Sequence, residues 1–222
     1  ISCLGYMSEP VLRLSCFMGI LAILTAWEHL FPRRVLSVPK AKRWFSNLSL
    51  AILDTVILRM VFPLAAVGMA EIAHQHRWGV FNTVPAPAWV AIAFSVVLLD
   101  LIIYLQHVLF HALPPLWRLH RVHHADLEID VTTGVRFHPI EILLSMGFKS
   151  LAVLLLGVPP LAVLIFEIVL NSSALFNHSN IFLPAKLDRL LRLFLVTPDM
   201  HRVHHSILPQ ELQSNFGFNL PW

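Results

Sequence analysis

Long apolar stretches separated by short polar segments fill most of the chain up to residue 180. A stretch of about 20 apolar residues is long enough to cross a lipid bilayer as a helix. The pattern predicts membrane helices at residues 10–31, 45–73, 88–111, 140–157 and 160–177. Pro159-Pro160 lies between the last two and marks the turn of a helical hairpin. We therefore predict an all-α bundle of four to five membrane helices.

The composition supports a membrane location for this bundle. Hydrophobic residues make up 57% of the 222 residues, charged residues make up 13%, and the mean hydropathy is +0.71. Soluble domains contain about 25% charged residues. The pI of about 9.2 does not indicate nucleic-acid binding, because the basic residues lie beside the apolar stretches and not in a stripe interleaved with aromatic residues. We expect an integral, multi-pass membrane protein.

Basic residues predict how the bundle is oriented. They concentrate in three segments, at 33–43, 118–136 and 186–202, whereas the segment 74–87 contains only Arg77. Lys and Arg close to membrane helices favour the cytoplasmic side. We therefore expect the three basic segments, and the histidines within and beside them, on the cytoplasmic side.

Histidine is the chemically informative residue. The sequence His-Arg-Val-His-His occurs twice, and a pair spaced i, i+4 precedes the first copy. These clusters contain His107, His111, His120, His123, His124, His201, His204 and His205. Residues at i, i+3 and i+4 share one face of a helix, so each cluster can present its imidazoles together. Neutral imidazole binds transition metals, and one ion takes about three or four such ligands. The pattern predicts two neighbouring metal ions in a histidine-rich helical cap.

The third predicted helix places an acidic residue on the same stripe as two of these histidines. Asp100, Tyr104, His107 and His111 fall at relative positions 0, 4, 7 and 11, which is the spacing of one helical face. An ionisable residue within a membrane helix usually faces a polar interior. Asp100 either orients a ligating imidazole or binds a neighbouring helix.

Other histidines differ in their context. His178 ends the predicted hairpin, and Asn171 lies seven residues earlier on the same helical face, which favours a ligand role for His178. His138 precedes Pro139, so it is either a ligand or a helix-start residue. Packing or interface roles are expected for three histidines outside the clusters. These are His29, His74 and His76.

The last histidine cluster carries its own helix-start signal. Thr197 is a suitable N-cap, Pro198 suits the first helical position and Asp199 suits the first turn. Before it, residues 187–195 form an apolar stripe with basic residues opposite. This stretch is either an amphipathic helix at the membrane surface or a helix packed against the metal cap.

Several competing functional classes lack their signatures. A membrane zinc hydrolase remains the alternative, although the chain has no His-Glu-x-x-His helix. A transporter would place its ligands near mid-membrane, and adjacent histidines suit bis-histidine haem poorly. Cys3 and Cys16 lack metal spacing, and we assign them neither a role nor a disulfide. No initiator methionine is present and the end at Trp222 is abrupt, so we expect a fragment of a longer protein.

The order of the motifs resembles that of a known superfamily. The motifs are His-x3-His, His-x2-His-His, Arg-Phe-His-Pro, Asn-His-Ser-Asn, Thr-Pro-Asp-Met-His-Arg-Val-His-His and Ser-Asn-Phe-Gly. In this order they resemble the sterol desaturase and fatty acid hydroxylase superfamily over residues 90–222. We therefore divide the chain into membrane helices at 1–89 and a histidine-box catalytic region at 90–222, within one continuous membrane domain.

The resemblance implies a non-haem di-iron membrane enzyme. Such an enzyme uses dioxygen and two electrons to hydroxylate or desaturate a lipid, such as a sterol or a fatty acyl chain. The eight clustered histidines then correspond to iron ligands, with His178 a further ligand. The chain has Ala174 where relatives carry an additional histidine, and a water, Asn171 or His138 would complete that shell.

The resemblance also implies partners. Because the sequence has no dinucleotide fingerprint, haem-attachment motif or cysteine set for an iron–sulfur cluster, the electrons must come from an external donor. A small cytoplasmic redox protein is the expected donor, and the candidate contacts are Arg118, Arg121 and Arg202. The substrate would enter laterally from the bilayer.

Overall fold

The structure, a computed structural model, describes residues 8–126 and 128–222. Its helices are α1 (Glu9–Leu30), α2 (Lys40–Val61), α3 (Ala65–Gln75), α4 (Val80–Thr83), α5 (Ala88–Ala112), α6 (Pro114–His124), α7 (Pro139–Leu156), α8 (Pro160–His178), α9 (Ala185–Leu191), α10 (Pro198–His204) and α11 (Pro209–Leu212). A 3₁₀ turn, Val131–Val135, lies between α6 and α7. Within these described residues, five segments are long and apolar enough to cross a membrane. The predicted all-helical membrane bundle is confirmed.

The second membrane segment differs from the prediction. A single helix over 45–73 was expected, whereas α2 begins at Lys40 and ends at Val61, and α3 begins at Ala65. Pro63 lies in the break, where its ring cannot donate a backbone hydrogen bond, and Ala65 has a φ of 51°. The other four predicted membrane helices agree with the structure to within about two residues at each end.

The five membrane segments alternate in direction, and contacts at the two ends of the bundle show this. Near the end of α1, Glu28 accepts hydrogen bonds from the backbone N–H groups of Val131 and Asn180 (2.7 and 2.6 Å). At the opposite end, the backbone of Gly157 after α7 lies against that of Gly79. The segments 31–39, 113–126, 128–138 and 179–222 consequently share one end, which we call the histidine end.

Small residues allow the central helices to pack closely. Ala66 and Ala70 of α3 are fully buried and lie one turn apart, against α7 and α8. The same core contains Leu99 of α5 and Phe166 of α8. Because lipid tails are as apolar as these side chains, close van der Waals packing at small residues holds membrane helices together.

Apolar side chains on the outer faces of the bundle are exposed. Leu14 and Ile23 of α1, Met60 of α2 and Phe94 of α5 each expose more than half of their surface. Contiguous exposed apolar surface of this kind marks a membrane or partner interface. Its position on the membrane segments is that of a lipid-facing surface.

The helix-start and turn signals are borne out locally. The Thr197 side chain accepts a hydrogen bond from the N–H of Met200 (3.5 Å) at the start of α10. Gly157 ends α7 in the left-handed conformation, with a φ of 67°, and α8 begins at Pro160. After α9, which ends at Leu191, Leu193 and Phe194 expose 68% and 65% of their surface.

Candidate metal centre

Nine histidines converge at the histidine end in two adjacent groups. The five-histidine group consists of His107, His111, His120, His124 and His204. The four-histidine group consists of His123, His178, His201 and His205. Within each group, the candidate ligand atoms all lie within 4.8 Å of one another. The groups adjoin, since the rings of His124 and His205 stack at 4.3 Å between centroids. All eight clustered histidines therefore meet, together with His178.

The two His-Arg-Val-His-His copies contribute to both groups in opposite ways. On α6 the first and last histidines belong to the five-histidine group, and the middle one, His123, belongs to the four-histidine group. On α10 the assignment is reversed, because only His204 joins the five-histidine group. Residues at i and i+4 lie nearly in line on a helix, whereas i+3 points to the side. Each copy therefore bridges the two groups instead of forming one site alone.

Hydrogen bonds at Nδ1 fix the orientation of several rings. Backbone carbonyl oxygens lie opposite Nδ1 in four cases: Phe216 for His107 (2.7 Å), Arg136 for His123 (3.0 Å), Ala174 for His178 (2.6 Å) and Ser214 for His204 (2.7 Å). A carbonyl oxygen can only accept, so Nδ1 must carry the proton. The Nε2 atom of each of these neutral rings consequently keeps its lone pair and is available as a ligand.

These Nε2 atoms face one another at short distances. In the five-histidine group, Nε2 of His107 lies 3.0 Å from that of His120 and 3.1 Å from that of His204. In the other group, Nε2 of His178 lies 3.0 Å from that of His123 and 2.9 Å from that of His201. Two nitrogens that bind one ion at about 2.1 Å, at right angles, lie about 3.0 Å apart. The donor sets therefore fit metal ions.

The surroundings of His111 independently support the fit of the five-histidine group to a metal ion. Both of its ring nitrogens are buried without a hydrogen-bond partner among the described residues. A buried polar atom without a partner is costly and requires an explanation. A metal ion bound to one of these nitrogens would provide it.

Burial keeps the histidines beyond the membrane segments uncharged. Removal from water lowers the pKa of His120, His123, His201, His204 and His205, and the neighbouring histidines lower it further. The pKa of His124 is lowered for the same reasons. Metal ligation requires the neutral imidazole, so the environment favours the protonation state that binds a metal.

Glu141 was missed by sequence reasoning. It lies in the first turn of α7, is 5% exposed, and accepts a hydrogen bond from Nδ1 of His120 (2.6 Å). A carboxylate behind a ligating histidine fixes the ring and raises its basicity. The available signal was an acidic residue two positions after Pro139, at the start of an otherwise apolar helix.

A buried polar network braces the loop after α6. Arg43 of α2 forms ion pairs with Asp126 and Asp130, each at 2.7 Å. Burial raises the pKa of Asp126, but the hydrogen bonds and charge of Arg43 outweigh this and hold it below its usual value. Asn47 of α2 accepts from Arg136 (2.9 Å), the residue whose carbonyl holds His123. The helices before residue 90 therefore support the ligand shell.

Asp100 contacts the C-terminal residues and not an imidazole. Its carboxylate accepts hydrogen bonds from the Asn219 side chain (2.7 Å), the Leu220 N–H (3.3 Å) and the Trp222 indole (2.6 Å). The sequence predicted that Asp100 either orients a ligating imidazole or binds a neighbouring helix. The partner is instead an irregular segment that also contains Phe216, the residue whose carbonyl holds His107.

The remaining candidate residues lie outside the two groups. His138 caps α7, where its Nδ1 accepts from the N–H of Ile140 (3.1 Å). Asn171 is exposed on α8, and Ala174 is buried there. Among the other histidines, the exposed ones outside the groups include His29, His74 and His76. The geometry thus offers His178, and neither His138 nor Asn171, to the described clusters.

Aromatic rings cover the centre. Phe137 stacks on His123 with a centroid distance of 4.5 Å and an interplanar angle of 5°. Phe216 and Phe218 both lie against His107, at 5.7 and 4.8 Å. Rings packed in this way hold the imidazoles in place and exclude water from the space around them.

Comparison with known proteins agrees with this geometry. The fatty acid hydroxylase family matches residues 92–222, which contain all nine grouped histidines. The chain belongs to the fatty acid hydroxylase family. This confirms the resemblance read from the motif order.

The chain is also similar to a curated protein. The chain is 28% identical over 218 residues to the ornithine lipid hydroxylase OlsE of Rhizobium tropici, an alignment that covers 92% of this chain and 62% of the relative. The chain therefore spans less than two thirds of the length of that relative. No solved structure matches the chain significantly.

Proposed function

We propose that the protein hydroxylates a membrane lipid with dioxygen at a centre of two iron ions, one in each histidine group. The observation that carries this proposal is the pair of adjoining, all-histidine groups in a multi-pass member of the fatty acid hydroxylase family. Desaturation begins with the same removal of hydrogen from carbon and is the alternative outcome of the same chemistry.

The number of ligands favours iron over zinc. Zinc sites are usually tetrahedral, with four protein ligands or with three and a water. The five-histidine group offers more nitrogens than such a site uses. Imidazole suits iron as well as zinc, and an ion that accepts five or six ligands fits this group better. A zinc hydrolase is therefore the weaker proposal.

The protein contributes ligand placement and a dry environment. Bound iron would supply the activation of dioxygen, which side chains alone lack. The histidines stay neutral because they are buried, and carbonyl acceptors such as that of Phe216 keep each Nε2 directed at its group. Phe137, Phe216 and Phe218 exclude water from the reacting space.

The substrate proposal rests on the membrane setting and on the relative. The relative is named for hydroxylation of an ornithine lipid, and the exposed apolar faces of this bundle would adjoin the acyl region of a bilayer. We propose a membrane lipid that reaches the histidine end from the side. Asp100 would act through the C-terminal segment, by keeping Phe216 in place behind His107.

Electrons would come from a separate redox protein. Arg118 and Arg121 are exposed on α6 at the histidine end and remain the proposed contacts, together with the partly buried Arg202. The basic segments support a cytoplasmic position of this end. We further propose that residues 90–222 form the catalytic region and that the helices before it brace the centre, as Arg43 does.

Metal counting and lipid profiling together test the proposal. We expect two iron ions per chain, and about one after His204→Ala or His201→Ala, because these variants affect different groups. Cells that carry the intact protein should accumulate a lipid with one added oxygen, and both variants should abolish it. His76→Ala removes an exposed histidine at the opposite end and should change neither result. One zinc per chain, or unchanged product with both variants, would contradict the proposal.

A further inference from the structure

A polar cavity opens beside the four-histidine group. It has a volume of about 540 Å³ and lies between the segment after α1, the end of α9 and α10. His205 forms part of its wall, and Nε2 of His205 lies 3.2 Å from that of His178. A molecule in this cavity would therefore contact the centre directly.

Arginine dominates the polar wall of the cavity. Four arginines line it, at 33, 34, 192 and 202, against two carboxylates, Asp199 and Glu211. Asp199 is shared, since it pairs with Arg33 at 3.1 Å and also with Arg202. Arg192 also pairs with Asp188, at 2.6 Å. The four arginines still outnumber these three carboxylates, and the excess of positive charge attracts a further anion.

Arg33 and Arg202 both lie in the cavity wall, and both pair with Asp199. A guanidinium group presents a planar fork that matches the oxygens of phosphate or carboxylate. The cavity is therefore suited to an oxyanion and not merely to diffuse negative charge.

The rest of the wall and its surroundings are apolar. Ile129, Val203 and Ile207 line the cavity, and Ile207 exposes 76% of its surface. Leu193 and Phe194, which follow α9 next to the lining residue Arg192, are also exposed. An anion-binding site with an apolar rim at the end of a membrane bundle fits an amphiphile better than a soluble anion.

We propose that this cavity binds the phosphate or carboxylate headgroup of an anionic lipid, which is the substrate class of the neighbouring centre. This inference rests on the proposed function for its link to catalysis, but the binding site itself does not require turnover. The headgroup would be held by Arg33, Arg192 and Arg202, with its chain beside His205 and the exposed apolar residues. The arginines would thus select the lipid by charge and position it at the centre.

Lipid binding can be measured without turnover. The metal-loaded protein is placed in phosphatidylcholine nanodiscs with no electron donor, and phosphatidylglycerol bound per chain is titrated by native mass spectrometry. Arg33→Gln with Arg192→Gln should weaken the tightest phosphatidylglycerol site at least about tenfold, because two charge-assisted contacts are lost. The corresponding lysine variants should restore much of the binding, since they keep the charge.

Lys186→Gln with Arg189→Gln provides the matched control. Lys186 and Arg189 are exposed on α9 and do not line the cavity, so this double variant removes two positive charges, as the test variant does, without affecting the site. Equal binding by the native protein and the double glutamine variant of the cavity arginines, with unchanged unfolding temperature, would overturn the proposal. Binding of inorganic phosphate at this site, with no binding of phosphatidylglycerol, would show that the ligand is a soluble anion and not a lipid. Arginine-dependent binding without any hydroxylation would leave this site standing and refute the proposed function alone.

Discussion

Glu141 accepts a hydrogen bond of 2.6 Å from Nδ1 of His120 and thereby links the start of α7 to the five-histidine group. Nε2 of His120 lies 3.0 Å from that of His107 and 3.2 Å from that of His124. The carboxylate therefore lies behind a ligand that adjoins two others of this group. A partner of this kind sets the tautomer and the direction of the ring.

Glu141→Gln should weaken metal binding in the five-histidine group. The neutral amide is a poorer acceptor for the Nδ1 proton, and loss of such partners typically lowers metal affinity about 10- to 100-fold. Titration with a chelator should release one metal ion per chain earlier than in the native protein. Glu71→Gln changes an exposed glutamate of α3 and should leave the titration unchanged. Simultaneous release of both ions at the native chelator concentration would contradict the assigned role of Glu141.

Gly134→Ala should destabilise the protein and disturb His178. A Cβ at Gly134 would lie 2.5 Å from the carbonyl oxygen of Ala174, which accepts the hydrogen bond of His178. Overpacking of this kind costs about 1–3 kcal/mol, so the unfolding temperature should fall and the four-histidine group should lose metal first.

Gly147→Ala is the matched control for that substitution. A Cβ at Gly147 meets nothing within 4 Å, and alanine is favoured over glycine in a helix interior by about 1 kcal/mol. The unfolding temperature of this variant should stay equal or rise. A native unfolding temperature for Gly134→Ala would show that the 3₁₀ turn does not press on α8.

Asp100→Asn should loosen the C-terminal segment. Its carboxylate holds Asn219, Leu220 and Trp222, and hydrogen bonds to a charged group contribute about 1.5–3 kcal/mol each. Hydrogen exchange at residues 216–222 should accelerate, with α1 unchanged. Trp222→Phe should give a smaller change in the same direction. Trp89→Phe, at an exposed site, should give none, and native exchange rates in Asp100→Asn would exclude the anchoring role.

Arg43→Met should lower the free energy of unfolding by about 3–5 kcal/mol, because it leaves two buried aspartates without their cation. These are Asp126 and Asp130, each 2.7 Å from Arg43. Arg43→Lys should recover part of the loss. Arg59→Met, on an exposed position of the same helix, should cost much less in a thermal unfolding experiment. Similar losses for both methionine variants would argue against the network.

The sequence allowed the membrane helices and the histidine clusters to be predicted because both depend on local spacing. The apolar runs set the helices, and the i, i+4 pairs set which imidazoles share a face. The division of each His-Arg-Val-His-His copy between two groups was not predicted. It depends on how α6 and α10 face each other across the centre, and the spacing within one helix does not contain that relation.

Partners distant in sequence account for the other misses. Glu141 lies 21 residues from His120, and Asp100 lies 122 residues from Trp222. The acidic residue on the α5 stripe was noticed, but its partner was sought among regular helices. The break in the second membrane segment could have been predicted from the sequence, because Pro63 has no backbone N–H to continue the hydrogen-bond ladder of a helix.

The carbonyl groups behind His107, His123, His178 and His204 have one more consequence. Main-chain oxygens are identical for every amino acid, so no point mutation at those acceptor positions deletes them. Among the described residues, only His120 of the nine grouped histidines has an Nδ1 acceptor supplied by a side chain. The residues around the centre can therefore be substituted extensively while the histidine rings keep their orientation, provided that the backbone path is preserved.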